Sequence, residues 1–189
     1  MTPSQYSKRL TELYGLVSGD LAKDTIAVSG RELLFAIKQR VTKQGKGSNE
    51  NSIGQYSTRP IYVEKQKFVK KGSFKRIGKY GERTKRTMYL PEGYKELRDI
   101  QGLRTDVVNL KYSGSMVNDY QSLQISQHVY LGIVSEKNAK KYEGLTMKYG
   151  NFYQATQQEK EEYIARTNFL LNRLTVNTIT GVDVTATIE

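Results

Sequence analysis

The chain of 189 residues contains no cysteine. That excludes a disulfide framework and any thiolate metal site, and it fits a reducing compartment. Histidine is almost as scarce. The one residue, His128, has no second histidine or cysteine with which to hold a metal, so it reads as a half-exposed strand residue. No run of about twenty apolar residues exists to span a membrane, and the polar N-terminus lacks the apolar stretch of a signal peptide. A phosphate loop is also missing. Gly45-Lys46-Gly47-Ser48 resembles part of one, but the position that needs the first glycine is Val41. Glu50 and the pair Glu161-Glu162 read as solvated charges. No pattern of nucleophile and base, or of paired carboxylates, stands out. The expectation is therefore a protein without catalytic, cofactor-binding or metal-binding residues, not an enzyme.

What the chain does have is positive charge, net +11, and the charge is concentrated. Between Arg59 and Arg86 stand eleven lysines and arginines against two acids, Glu64 and Glu82. Phe68, Phe74 and Tyr80 are interleaved with them, and Gly72, Gly78 and Gly81 are spaced between. No helical stripe runs through the segment. It reads as an extended hairpin or arm, since a loop this long in a compact domain is usually functional. Its candidate interaction residues are Arg59, Lys65, Lys67, Phe68, Lys70, Lys71, Phe74, Lys75, Arg76, Lys79, Tyr80, Arg83, Lys85 and Arg86. Such an arm fits an acidic groove of another protein, or it neutralises phosphates and stacks bases of a nucleic acid, or it is simply solvated. Fourteen tyrosines and no tryptophan suit interfaces as well as strands.

The elements are expected to be organised around residues 105–134. Leu110 leads into a turn at Ser113-Gly114-Ser115, where either serine can cap a short helix with Met116, Val117 and Tyr120 on its apolar side. From Leu123 the apolar period becomes two. Leu123, Ile125, Val129, Leu131 and Ile133 would face one way, and Gln124, Ser126, His128 and Tyr130 the other, in one long central strand to Val134 that Gln127 interrupts once. Upstream, Ser4 to Val17 is helical in pattern. A longer helix is expected over Leu21 to Lys43, with Ile26, Gly30, Leu33, Leu34, Ile37 and Val41 on one face and Gly30 as a point of close packing. Ser29-Gly30-Arg31-Glu32 offers an alternative helix start. Residues 44–57 read as loop, Ile61 and Val63 as a strand, Thr87 to Leu90 as a short strand, and Glu92 to Leu103 as a helix. Asn138 to Tyr153 reads as irregular. The capping box Thr156-Gln157-Gln158-Glu159 opens a helix to about Leu174 whose inner face is Tyr163, Leu170, Leu171 and Leu174. Val182 to Ile188 alternates as a terminal strand, able to join a sheet edge of its own domain or of a neighbour. The fold class is α+β, a mainly antiparallel sheet packed with two longer helices plus the basic arm. The chain divides into an N-terminal helical extension (1–19), the α+β domain (20–175, arm 59–86) and a C-terminal strand or tail (176–189).

Several motifs in this order carry a resemblance. They are Ser52-Ile53-Gly54-Gln55-Tyr56-Ser57-Thr58-Arg59-Pro60-Ile61-Tyr62, then Pro91-Glu92-Gly93-Tyr94-Lys95-Glu96-Leu97-Arg98. After these come Val108-Asn109-Leu110-Lys111-Tyr112-Ser113-Gly114-Ser115-Met116 and Tyr149-Gly150-Asn151-Phe152. Together they resemble the virion-morphogenesis or tail-completion proteins of tailed phages, nearest to those from phages of gut Bacteroidetes, the crAss-like group included. The resemblance covers about residues 20–175, and the turn from Leu110 to Met116 is its most characteristic piece. It implies a small α+β neck protein without enzymatic activity, made in the host cytoplasm and located in the virion. It would form a homo-oligomeric ring between portal and tail and contact other neck, portal or tail proteins. Basic side chains would face passing DNA, and no membrane is involved. The extension before Asp20 and the size of the basic arm depart from the family pattern. The reading of a different class is a nucleic-acid-binding module built on the arm.

Overall fold

The computed structural model describes residues 7–8, 10–12, 14–15, 19–64, 87–111, 113–126 and 128–180. Among the described residues the fold is α+β, with helices α1 (Asp20–Gln39), α2 (Gly93–Ile100), α3 (Ser115–Asp119), α4 (Glu136–Tyr149) and α5 (Gln157–Thr180) and two antiparallel pairs of strands. The pairs are β1 (Ile61–Glu64) with β2 (Thr87–Leu90), and β3 (Tyr120–Ile125) with β4 (His128–Ile133). The described residues between 7 and 15 are helical as well.

Helix α1 is continuous through Ser29-Gly30, as its apolar face requires. Ser29 is buried inside it and donates from Oγ to the Thr25 carbonyl (3.1 Å), so it does not start a helix. Gly30 is a point of close approach. A Cβ there would lie 2.6 Å from Cγ1 of Val129, so the absence of a side chain lets β4 lie on α1. The helix ends in one wider π turn, Arg40–Gln44, in which two consecutive residues, Arg40 and Val41, are both buried. Gly45, with φ 65°, closes it.

The expected long strand is a hairpin. Ile125 pairs with His128, so only two residues separate the strands, and Ser126, the described one, has φ 55°. The two-residue loop pairs odd-numbered with even-numbered residues, which inverts the facing in the first strand. Tyr120, Ser122 and Gln124 face inward with Leu131, Ile133 and Val129, while Leu123 and Ile125 face outward with Tyr130 and His128. The segment expected to be irregular contains α4. Its apolar residues Tyr142, Leu145 and Tyr149 recur three and four apart and pack against the core, a stripe that four lysines and Gly144 obscure in the sequence. α5 runs to Thr180 and lies along α1, with its half-buried Tyr163, Leu170, Leu171 and Leu174 as expected. The Thr156 capping box is present. The Thr156 amide donates to Glu159 Oε2 (2.8 Å), and the Glu159 amide donates to Thr156 Oγ1 (3.1 Å). At α3 the N-cap position is Gly114, and Ser113 Oγ accepts from the first-turn amide of Ser115 (3.4 Å), as the sequence suggested.

The main core gathers Ile37, Val41, Ile53, Tyr56, Val108, Met116, Tyr120, Phe152 and Tyr153. Ile53, Tyr56, Val108, Phe152 and Tyr153 come from outside helices and strands. A core built from loops buries backbone carbonyls that no ladder satisfies. Two buried arginines satisfy them. Arg40 donates from Nη1 to the carbonyls of Lys46 (3.1 Å) and Phe152 (3.2 Å), and from Nη2 to Gln154 (2.7 Å). Its Nε and Nη2 also reach the Glu159 carboxylate (2.8 and 3.2 Å). A smaller core of Val63, Met88, Leu90 and Leu97 lies under the β1–β2 pair, and Tyr94 packs against both cores.

Candidate functional site

Of the arm residues singled out above, Arg59 is described and exposed. Lys65, Lys67, Phe68, Lys70, Lys71, Phe74, Lys75, Arg76, Lys79, Tyr80, Arg83, Lys85 and Arg86 lie outside the described residues, as does the terminal strand over Val182 to Ile188. What the structure gives of the arm is its stem. β1 and β2 pair from Ile61↔Leu90 to Glu64↔Thr87, so the two residues that flank 65–86, Glu64 and Thr87, stand side by side. Val63, Met88 and Leu90 face the small core, and Tyr62 and Tyr89 pair across the opposite face with ring centroids 5.0 Å apart and planes tilted by 45°. Gly93 fixes the approach to the stem. It has φ 66°, and a Cβ there would lie 2.1 Å from the Arg59 carbonyl oxygen. Only glycine meets both conditions.

The stem is tied to the main core through Arg98, on α2. Its guanidinium donates to the carbonyl of Arg104 (Nε, 3.0 Å), to that of Lys111 (Nη1 and Nη2, 3.2 Å) and to Asn109 Oδ1 (Nη2, 3.0 Å). It also lies 4.2 Å from the centroid of the Tyr56 ring. Asn109 Oδ1 accepts further from the Tyr56 hydroxyl (3.0 Å) and the Lys111 amide (3.0 Å), and the Tyr56 hydroxyl accepts from the Asn109 amide (3.1 Å). Burial pushes the Tyr56 phenol above its ordinary pKa, against the opposing pull of Asn109 and Arg98. This network holds Leu110 at φ 51°, a backbone state that a leucine adopts only under constraint from its surroundings.

Beside Leu110 opens a cleft of about 480 Å³. Its floor is Tyr56, Tyr94 and Arg98. One wall is the turn from Ser113 to Met116, and the other is the face of α4 bearing Lys140, Lys141, Gly144 and Leu145. The volume suits a small ligand or a few side chains. The turn from Leu110 to Met116, singled out in the sequence, therefore borders a cavity. The α4 wall was not legible, because its segment reads as irregular.

A third surface is the outward face of the β3–β4 hairpin. Leu123 is 61 % exposed, and it pairs directly with Tyr130, 55 % exposed. Ile125, at 54 %, is its neighbour. His128 shares this face, exposed, with its ring 6.3 Å from that of Tyr130. Among the described residues there is no group of three or more acidic, histidine or cysteine side chains that could hold a metal ion, and no helix is long and apolar enough to cross a membrane. Comparison of the chain with protein-family models, curated proteins and solved structures found no match.

Proposed function

We propose that the protein is a structural virion subunit of a tailed phage, a head–tail connector or tail-completion ring protein of the neck, which acts by contact and makes or breaks no bond. The observation that carries this reading is the stem. A strand pair seated on its own small core, locked by Gly93 and bolted to the main core through Arg98, carries between its ends a segment with ten lysines and arginines against one glutamate. A rigid mount with a long charged insert suits reaching a neighbour. The apolar outward face of the second hairpin supports assembly as well, because contiguous exposed apolar surface usually marks a binding face. Copies would close a ring through heterologous contacts, and the arm would dock on an adjacent ring. Many weak copies in parallel would supply the affinity.

Electron microscopy of the parent particle, with density traced at the neck, tests this directly. The expected result is a ring of this chain with residues 59–86 against a second protein. Absence from mature particles refutes it. A salt titration with free duplex DNA covers the rival. Tight binding that falls steeply with salt and is lost on deleting residues 65–86 would make the arm a nucleic-acid-binding element instead.

A further inference from the structure

The cleft between α4 and the turn at Ser113 has a definite chemistry. Its charged lining is cationic, Arg98, Lys140 and Lys141, and no acid lines it among the described residues. Arg98 is engaged with internal acceptors, which leaves the two lysines at the rim for a ligand. Lys141 donates to Asn138 Oδ1 (3.2 Å), and Lys140 pairs with Glu136 (2.6 Å) where both are largely exposed, a contact of little strength that a better placed carboxylate can replace. Most of the remaining surface is apolar. Gly144 widens it. This glycine is in the middle of α4, where glycine is a poor helix former, and a Cβ there would meet nothing within 4 Å. Neither a positive φ nor a close contact calls for glycine at this position, and its effect is an open cleft.

The occupant this lining selects is apolar with carboxylates beside it. Of the longer stretches outside the described residues, 1–6 hold no charged side chain and 65–86 are strongly basic. Residues 181–189, Gly-Val-Asp-Val-Thr-Ala-Thr-Ile-Glu, hold Asp183 and Glu189 and no cation, with Val182, Val184 and Ile188 alternating. A chain's own cleft is badly placed to receive this segment. α5 follows closely on Tyr149, which lines the cleft, starts where Glu159 meets Arg40, and runs antiparallel along α1 past the Arg166–Glu32 pair. Thr180 is then roughly 32 Å away along the helix, about the whole reach of nine fully extended residues, so none would be left to lie in the cleft. Building on the assembly reading above, we infer that the cleft is the seat for residues 181–189 of a second copy of this chain, with apolar side chains on the tyrosine floor and Asp183 and Glu189 toward Lys140 and Lys141. The contact runs head to tail, so it propagates from copy to copy and closes into a ring when the rotation allows.

The absence of native cysteine makes a clean test possible. Under mild oxidation the full-length double variant Gly144→Cys/Ile188→Cys is expected to give a ladder of disulfide-linked dimers, trimers and larger species. A mixture of the two single variants, told apart by mass tags, should give the heterodimer. Lys140→Glu/Lys141→Glu in the Gly144→Cys copy should lower the heterodimer yield about tenfold, and Asp183→Lys/Glu189→Lys in the Ile188→Cys copy should restore it. As an arm without substitutions in the protein, a fluorescein-labelled peptide of residues 181–189 should bind the full chain. A link confined within single chains, thiols that stay free, or a charge swap without rescue overturns the proposal. The two readings fail separately. A ladder from a protein absent from the virion neck refutes the connector and leaves this seat standing, and rings in particles without a 144–188 link do the reverse.

Discussion

Glu159 is the residue whose loss should do most damage for its size. Its carboxylate is buried, accepts Arg40 Nε at 2.8 Å and Nη2 at 3.2 Å, and also accepts the Thr156 amide at 2.8 Å. Glu159→Ala leaves the Arg40 guanidinium buried against three carbonyls with no countercharge. Breaking a buried pair on one side costs about 3–5 kcal/mol, and the lost half of the capping box adds about 1 kcal/mol. Glu159→Gln keeps an acceptor but not the charge and should fall between the parent and the alanine variant. Against a typical stability of about 5–15 kcal/mol, the alanine variant should be partly unfolded at 37 °C. Urea unfolding followed by circular dichroism reads the effect as a drop in midpoint at unchanged slope. Arg40→Met/Glu159→Met removes both charges but orphans the carbonyls of Lys46, Phe152 and Gln154, so it should recover only part of the loss. A Glu159→Ala cost below about 1 kcal/mol, the range of exposed pairs, would mean that water solvates Arg40 and that the loop-built core is not organised around it.

Three other perturbations read separate parts of the molecule. Gly93→Ala places a Cβ into the Arg59 carbonyl at a positive φ. It should cost about 2–5 kcal/mol by combined strain and overpacking, read by urea unfolding, with protease cleavage rising first in the 59–93 region. Gly144→Ala meets open space in the middle of α4 and should stabilise by up to about 1 kcal/mol, seen as a higher Tm. Asp119 Oδ2 accepts from the Ser135 hydroxyl and amide (2.6 and 2.9 Å) and from Asn138 Nδ2 (3.1 Å), tying the hairpin to α4. Those hydrogen bonds, led by the Ser135 hydroxyl, hold its carboxyl below the usual range. Its stabilisation is therefore present above the unfolded value of about 3.9 and is lost as pH falls through the lower folded value. Tm measured against pH should show Asp119→Asn below the parent at neutral pH, with the gap closing in strong acid.

Much of the fold was legible where one local signal dominated. The face of α1, the close packing at Gly30, the Thr156 capping box and the two stem strands all follow from spacing or from side-chain chemistry within a few residues. The long strand was misread because apolar alternation continues in number across a two-residue turn. Ser126-Gln127 carries no glycine or asparagine to announce it, and nothing local says that Leu123 and Ile125 end up facing solvent. α4 was missed because Gly144 and Gly150 read as breakers, although Tyr142, Leu145 and Tyr149 form a stripe at spacings of three and four that packs on the core. One wall of the cleft was lost with it. The basic segment over 65–86 lies outside the described residues, and what the structure shows is the pairing of the strands that flank it.

The two arginines could not be identified from sequence at all, and they explain why so small a sheet suffices. Arg40 and Arg98 are each one basic residue in a helix with others, and charge alone assigns them to the surface. In the structure both are buried, and their partners are mostly carbonyls of segments without regular structure. A guanidinium has five donors in a fixed plane, so one side chain can replace several missing ladder bonds and set the angle between the loops that supply them. Arg40 does so where the loop after α1 and the one before α5 meet. Arg98 does so where the stem's helix meets the turn that leads into the cleft. The arm's mount and the cleft's floor are thus positioned by the same residue, and Arg98→Lys, with a single flexible ammonium in place of the fork, should loosen both together. Raised amide exchange at Lys111 and in the stem strands, in a protein that still folds, is the expected signature. Exchange unchanged at either place would show that the stem and the cleft are held independently.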